Sequence, residues 1–228
     1  MIEISKAIKE IYQSIDNTIE GVYNVGENRT DFCSTKWARV GKIVADSIGR
    51  EYLIEQIDYD NWIIASALDP LNVDPLDGLV YLPTPVWISG TRLVTNSEWG
   101  KFSNDLSSKL PLVWLLEVLR YRRFGRESVI EFESDLRLFF LDETNVTQYI
   151  NSEHRENVVE PMERLLNEFL KGVNMNREYR PIDDYEVITF SRFGVENEQG
   201  MFKNVLDANL SGVELRVTLS KYKEKCKC

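Results

Sequence analysis

The chain holds one histidine, His154, beside Glu153 and Glu156 early in a segment patterned as a helix. Histidine trades a proton near neutral pH and ligates metals more readily than other side chains. Either job needs company: a zinc site takes about four ligands, and a serine nucleophile needs a base held in place by a third group. No second histidine exists to complete such a set, so His154 reads as a surface residue. Glu131, Glu133 and Asp135 alternate along one segment and share a strand face. They are acceptable partners for acid–base work, but the simpler reading is a solvated face. Asp69, Asn72, Asp74 and Asp77 crowd one loop, without EF-hand spacing and with prolines where a calcium loop must bend. Cys226 and Cys228 flank Lys227 at a spacing a soft metal tolerates, yet lack further ligands; their role stays open. No Walker or dinucleotide glycine spacing occurs: "SGTR" and "SRFGVENEQG" fall short of both. The sequence therefore assigns no catalytic, cofactor-binding or metal residue, and the expectation is a protein that is not an enzyme.

Charge narrows the partners. Lys and Arg total 27 against 37 Asp and Glu, a net charge of −10, which argues against wrapping bare nucleic acid. The one basic cluster, Arg120, Arg122, Arg123 and Arg126 in "RYRRFGR", reads as a solvated rim rather than a phosphate site. Three cysteines, Cys33, Cys226 and Cys228, form no even disulfide framework and point to a reducing compartment. The first residues lack the pattern of a secretory leader, and no stretch approaches the roughly 18 apolar residues of a membrane span.

These residues must be positioned by elements legible as hydrophobic periods. Ile4, Ile8, Ile11, Ile15 and Ile19 fall on one helical stripe, which predicts a helix over 3–19. "DFCSTKWARVGKIVADSIG" reads as a helix ended by Gly49, and "EYLIEQIDYDNWIIASAL" as two strands around Asp58 and Asp60. "DPLNVDPLDG" is a loop. "PVWISGTRLVT" reads as two strands, and "NSEWGKFSNDLSSKL" as a helix capped at Asn96 or Ser97, spanning about 97–108. "PLVWLLEVLRY" suits a central strand, and "SVIEFESDLRLFFLD" another. Val158, Met162, Leu165, Leu166 and Phe169 mark a helix over 152–170, ended by Gly172 and kinked or broken at Pro161. "DDYEVITFSRFG" is a strand, and a short helix is expected at 201–206. Near the C-terminus Val213, Leu215, Val217 and Leu219 alternate with Glu214, Arg216, Thr218 and Ser220 on a wet face, after a turn at 209–212. This strand is expected to pair with 186–193, to lie under Leu165 and Phe169, and to leave its other edge, or the turn at 209–212, facing a neighbouring subunit or the next ring. The fold class is α+β: a mostly antiparallel sheet with two helices on one face, split β-α-β-like, plus an N-terminal helix and a small β region. The expected domains are 1–78, an N-terminal helix and β extension, and 79–228, an α+β domain.

Across about residues 80–220, "LPTPVWISGTRLVTNSEWGKFSNDLSSKLPLVWLLE", "FFLDETN…HRENVVEPMERLLNEFL" and "FSRFG…VLDANLSGVELRVTL" resemble head–tail proteins of tailed bacteriophages. These are connector, neck-ring and tail-completion or tail-terminator components, as in phages of gut Bacteroidetes. The resemblance implies a structural virion protein without catalysis, made in the host bacterial cytoplasm. It would form a ring of its own copies between portal, other neck-ring and tail proteins, with genomic DNA passing through the lumen and no membrane contact. It brings no catalytic residue, cofactor or metal. The alternative is a small adaptor outside a virion, or a metal-dependent enzyme.

The charge balance generates the first prediction. The isolated chain binds duplex DNA no tighter than the roughly 10⁻⁴–10⁻⁶ M of non-specific contacts at physiological salt. A fluorescence-anisotropy titration finding submicromolar, sequence-selective binding would reverse it.

Overall fold

The computed structural model describes residues 2–58, 61–101, 106, 109–116, 120–124, 131–144, 154–196 and 202–221. They divide into two compact units, one gathering 1–15, 85–146 and 165–228, the other 16–84 and 147–164. The boundary expected at 78/79 thus falls within a strand of the second unit, and the N-terminal helix belongs with the C-terminal half of the chain.

That helix, α1, covers Ile2–Gln13, six residues short of the expected end. Ile8, Ile11 and Tyr12 are buried, as the stripe requires. The stripe continues in sequence to Ile19, but Asp16 stops the helix: its carboxylate accepts from the Thr18 backbone N–H at 2.9 Å and from the Thr18 hydroxyl at 2.6 Å. A short polar side chain that hydrogen-bonds two residues ahead outcompetes the helical ladder. Ile19 then enters a strand.

The second unit is a closed six-stranded barrel, β1-β2-β5-β4-β3-β6. Its strands are β1 (Thr18–Asn24), β2 (Arg29–Phe32), β3 (Ile43–Ala45), β4 (Glu51–Asp58), β5 (Trp62–Ala67) and β6 (Gly78–Tyr81). The expectation of only a small β region here was too modest. β4 and β5 form the anticipated hairpin, with a register shift between Ile54 and Gln56 that supplies the bend a closing sheet needs. Phe32, Trp37, Val44, Tyr52, Ile54, Ile63, Leu76 and Val80 fill the interior. Gly21 makes room for that filling, since a Cβ there would lie 2.6 Å from the Phe32 ring.

The helix expected over "DFCSTKWARVGKIVADSIG" is absent. Gly41 and Gly49 both take φ of +84°, and Asp46 accepts from the backbone N–H groups of Ile48 and Arg50. Two left-handed glycines and a carboxylate caging a turn fold this segment into tight turns around β3.

The first unit is built on the sheet β11-β14-β10-β8-β7, with β9 also pairing to β10. The strands are β7 (Val86–Gly90), β8 (Leu112–Leu116), β9 (Arg120–Phe124), β10 (Glu131–Glu143), β11 (Tyr185–Phe190) and β14 (Leu210–Lys221); a separate hairpin joins β12 (Gly194–Glu196) to β13 (Phe202–Asn204). Every pairing is antiparallel except β7 with β8. The expected strand after Ser89 and Gly90 is instead the start of α2 (Arg92–Lys101). Thr91 caps it, its hydroxyl 3.4 Å from the Val94 nitrogen, so the helix begins well before Asn96. β13 and its turns replace the short helix expected at 201–206, of which residue 201 lies outside the described residues.

The long helix arrives in two parts. A π-helical turn, Arg155–Val159, leads into α3 (Glu160–Met175). The wide turn lets Glu160 donate to the Arg155 carbonyl, and Pro161, which has no N–H, takes its place in the first turn of α3, where none is needed. The expected kink or break shows only as a change of helix type beside Pro161, with the backbone at His154 and Glu160 remaining helical. Gly172 does not end α3; it lies against Ile11 of α1, where a Cβ would come within 3.2 Å.

Consecutive residues of a strand face opposite ways, which sorts the helices. Phe140 meets the Phe169 ring of α3 at 6.2 Å, and Tyr12 of α1 meets Trp87 at 5.2 Å. Phe140 is paired with Val113 and Val113 with Trp87, so α1 and α3 cover one face. Phe139 belongs to the other face, with Trp114, Leu112, Leu141, Ile88 and Trp99 of α2. Two helices do share a face, but they are α1 and α3; α2 lies across the sheet from them.

β14 pairs with β11 from Tyr185 opposite Val217 to Phe190 opposite Gly212, as expected. Val213 is opposite Phe140, which puts its apolar row on the Phe169 side. The expectation of an open second edge fails, because that edge is the whole length of β10. The expected turn at 209–212 is already strand from Leu210. Gly212 takes φ of +147° there, and a Cβ would sit 2.0 Å from the Phe140 carbonyl oxygen. Gly212→Ala should thus force the ladder apart and destabilise the protein by about 3 kcal/mol or more; chemical denaturation that finds a loss under about 1 kcal/mol would remove this constraint.

Candidate functional site

The richest polar arrangement lies on the α2 side of the sheet, beyond the edge of its aromatic cluster. Trp114, Phe139, Phe190 and Phe193 pack there with ring centroids 5.0 to 6.1 Å apart. Phe139 is paired with Glu214 of β14, and the next same-face pair along the ladder is Arg137 opposite Arg216. Glu214 is 1% exposed. Its carboxylate accepts from Arg137 Nε at 2.5 Å and from Arg216 Nε at 2.8 Å. Arg216 also reaches Glu186 of β11 at 3.2 Å, and the Arg137 guanidinium leans over the Phe139 ring at 5.6 Å.

Burial alone would push the Glu214 carboxyl up, but hydrogen bonds and charge from the two guanidiniums outweigh it and hold the carboxyl below the usual glutamate range. Arg216 moves upward in step, chiefly through its bond to Glu214. A carboxylate locked in its ionised form between two cations is a poor proton shuttle. What it does well is fix two planar donor forks in place.

Beside this triad an open groove is lined by Asp135, Arg137, Asp184, Tyr185, Glu186, Arg216 and Thr218, with a volume of about 570 Å³. The Thr218 hydroxyl donates to Asp135 at 2.8 Å. Three carboxylates face two guanidiniums already bound to Glu214, so the groove is acidic and suits recognition of a cationic group.

The residues singled out in the sequence do not converge on one place. His154 begins the π-helical turn, half-buried, and burial pulls its imidazole pKa down. The carboxylates of the proline loop have structural partners: Asp69 caps Leu71, Asp74 pairs with Arg50, and Asp77 accepts from the Tyr23 backbone N–H. Asn72 accepts from Arg50 Nη1 at 3.4 Å. Glu133 and Asp135 stand opposite Arg122 and Arg120 of β9, and Asp135 lines the groove. Cys33 is an exposed thiol. Arg126, Glu153, Cys226 and Cys228 lie outside the described residues. Among the described residues, no three His, Cys, Asp or Glu side chains gather to hold a metal ion.

Glu214, Arg137 and Arg216 escaped the sequence reading, which put Glu214 and Arg216 on a wet face. The wet-face reading holds for Arg216, whose side chain is 42% exposed, and fails at Glu214, whose side chain is 2% exposed with Phe139 opposite it. The aromatic cover over that end of the face comes from residues distant in sequence.

Linkage gives the prediction. A glutamate with a depressed folded pKa contributes stability that is present above its unfolded value, roughly pH 4.3, and is lost as pH falls through the folded value. Glu214→Gln should cost about 3 kcal/mol near neutral pH, the low end for breaking a buried pair, because both guanidiniums keep some contact with water. It should also flatten the loss of stability below about pH 4.3. Equal slopes in thermal unfolding of both proteins across that range would show that Glu214 does not carry the acid sensitivity.

Compared with known proteins, the chain matches no family model and no curated protein. Function therefore has to be read from its surfaces.

Proposed function

We propose that this chain is a non-catalytic structural protein of a tailed-bacteriophage virion, forming a ring of its own copies in the head–tail connector, at the neck or tail-terminator level. Its neighbours would be portal, other neck-ring and tail proteins, and genomic DNA would pass through the lumen without specific contacts. The observation that carries the reading is the outer edge of β11, which pairs with no strand among the described residues and shows exposed Tyr185 and Val187. An exposed strand edge is a template for another chain. When edge and partner are different patches, the contact is heterologous, and a constant rotation between copies closes a ring. The polar groups support the same reading, because Glu214, Asp46 and Asp74 are bound to arginines rather than arranged around a reactive centre.

Native mass spectrometry of the chain, with electron microscopy of virions carrying a label on it, tests this. The expected results are closed oligomers of one copy number and a label between head and tail. A chain that stays monomeric and is missing from virions would instead be a soluble adaptor.

A further inference from the structure

The open edge of β11 has an acidic flank, and the chain carries a segment built to match it. Residues 222–228 read "YKEKCKC", with Lys223, Lys225 and Lys227 on alternate positions and Tyr222, Glu224, Cys226 and Cys228 between them. In extended chain that period puts all three lysines on one side, about 6.8 Å apart. Asp184 and Glu186 repeat with the same period along the receiving strand, next to Asp135 in the groove. In a chain of net charge −10, this is a local cationic stripe with the period of an acidic one.

We propose that residues 222–228 of a second copy add to the outer edge of β11, with Lys223, Lys225 and Lys227 over the acidic groove and Cys226 on the side of Tyr185, Val187 and Thr189. This rests on the self-assembly reading above and names the contact that produces it. Main-chain pairing supplies the affinity and the lysine row selects the face. The donor is another copy for a topological reason. β14 runs antiparallel to β11, and Lys221 is itself bridged to Tyr179. To reach the outer edge of its own β11, the segment would have to turn back around 179–184 and then run parallel to β11. Parallel connections take about a dozen residues or more, and fewer than that separate Lys221 from Lys223, Lys225 and Lys227.

The test mixes two differently tagged full chains, both carrying Cys33→Ser. One has Cys226→Ser and Cys228→Ser together with Val187→Cys or, separately, Thr189→Cys; the other keeps its own C-terminal cysteines. Directly opposed strand residues bring Cβ atoms close enough for a disulfide. Mild oxidation should therefore link the two tags through Cys226 or Cys228, as mapped by mass spectrometry. Glu at 223, 225 and 227 of the donor should weaken self-association about tenfold, from three partly exposed charge pairs, and abolish the link. Oligomers that form without the link and ignore the three substitutions overturn this contact while leaving the ring intact. A chain monomeric both alone and in particles removes the contact and the ring together. Another protein's segment found on the β11 edge in the virion overturns the contact alone.

Discussion

The antiparallel ladder between β10 and β14 is the constraint on which the first unit depends. It runs without a break from Phe132 opposite Lys221 to Glu143 opposite Leu210, and β8, β9 and β11 flank it on both sides. Neighbouring strands pair with both over much of that length, and over most of it neither has an open face. Val213, Leu215 and Val217 meet the side covered by α1 and α3, while Leu141 and Phe139 meet the side covered by α2, Phe193, Leu206 and Ala208. Any charge on such a strand must be neutralised where it stands, because an unpaired buried ion costs several kcal/mol. Glu214 is that charge, and Arg137 and Arg216 are its answer. The same closeness excludes a side chain at Gly212, where the ladder passes the Phe140 carbonyl.

Much of this framework was legible because its signals are local and redundant. The stripe through Val158, Met162, Leu165, Leu166 and Phe169 has no strand alternative, and all five residues are buried. The alternation in β14 fixes its apolar face without knowledge of its partners. Failures came where one short-range hydrogen bond outweighs a longer pattern. Asp16 ended α1 against its isoleucine stripe, and Thr91 started α2 against the better-looking caps at Asn96 and Ser97. Period alone does not weigh a side chain's bond to its own backbone.

The barrel was illegible for a different reason. Closure requires β1 to find β6, with Thr18 opposite Tyr81 and Gly21 opposite Gly78, and nothing local in either segment announces the other. β2, β3 and β6 have only three or four residues each, too short for alternation to stand above chance. What the sequence does carry is negative: glycines at 41 and 49, prolines at 70 and 75, and the turn-forming Asp46 deny this stretch any long element. The candidate site shares the difficulty, since Arg137 and Glu214 are 77 residues apart and meet only because the ladder brings them together.

The edge of β11 shows how one surface can be open and still selective. A bare edge invites its own kind, and two copies of β11 placed edge to edge would form a symmetric, isologous pair. Asp184 and Glu186 stand along that edge, so such a pairing would set carboxylates against carboxylates, a like-charge contact that destabilises a strand pair. Tyr185, Val187 and Thr189 on the opposite side carry no charge and raise no such barrier. The edge therefore disfavours its own kind through one face, and the proposed donor, an extended segment whose cations fall on that face, meets no such barrier. A contact that cannot be isologous is heterologous, and repetition of a heterologous contact is the route from a single chain to a ring.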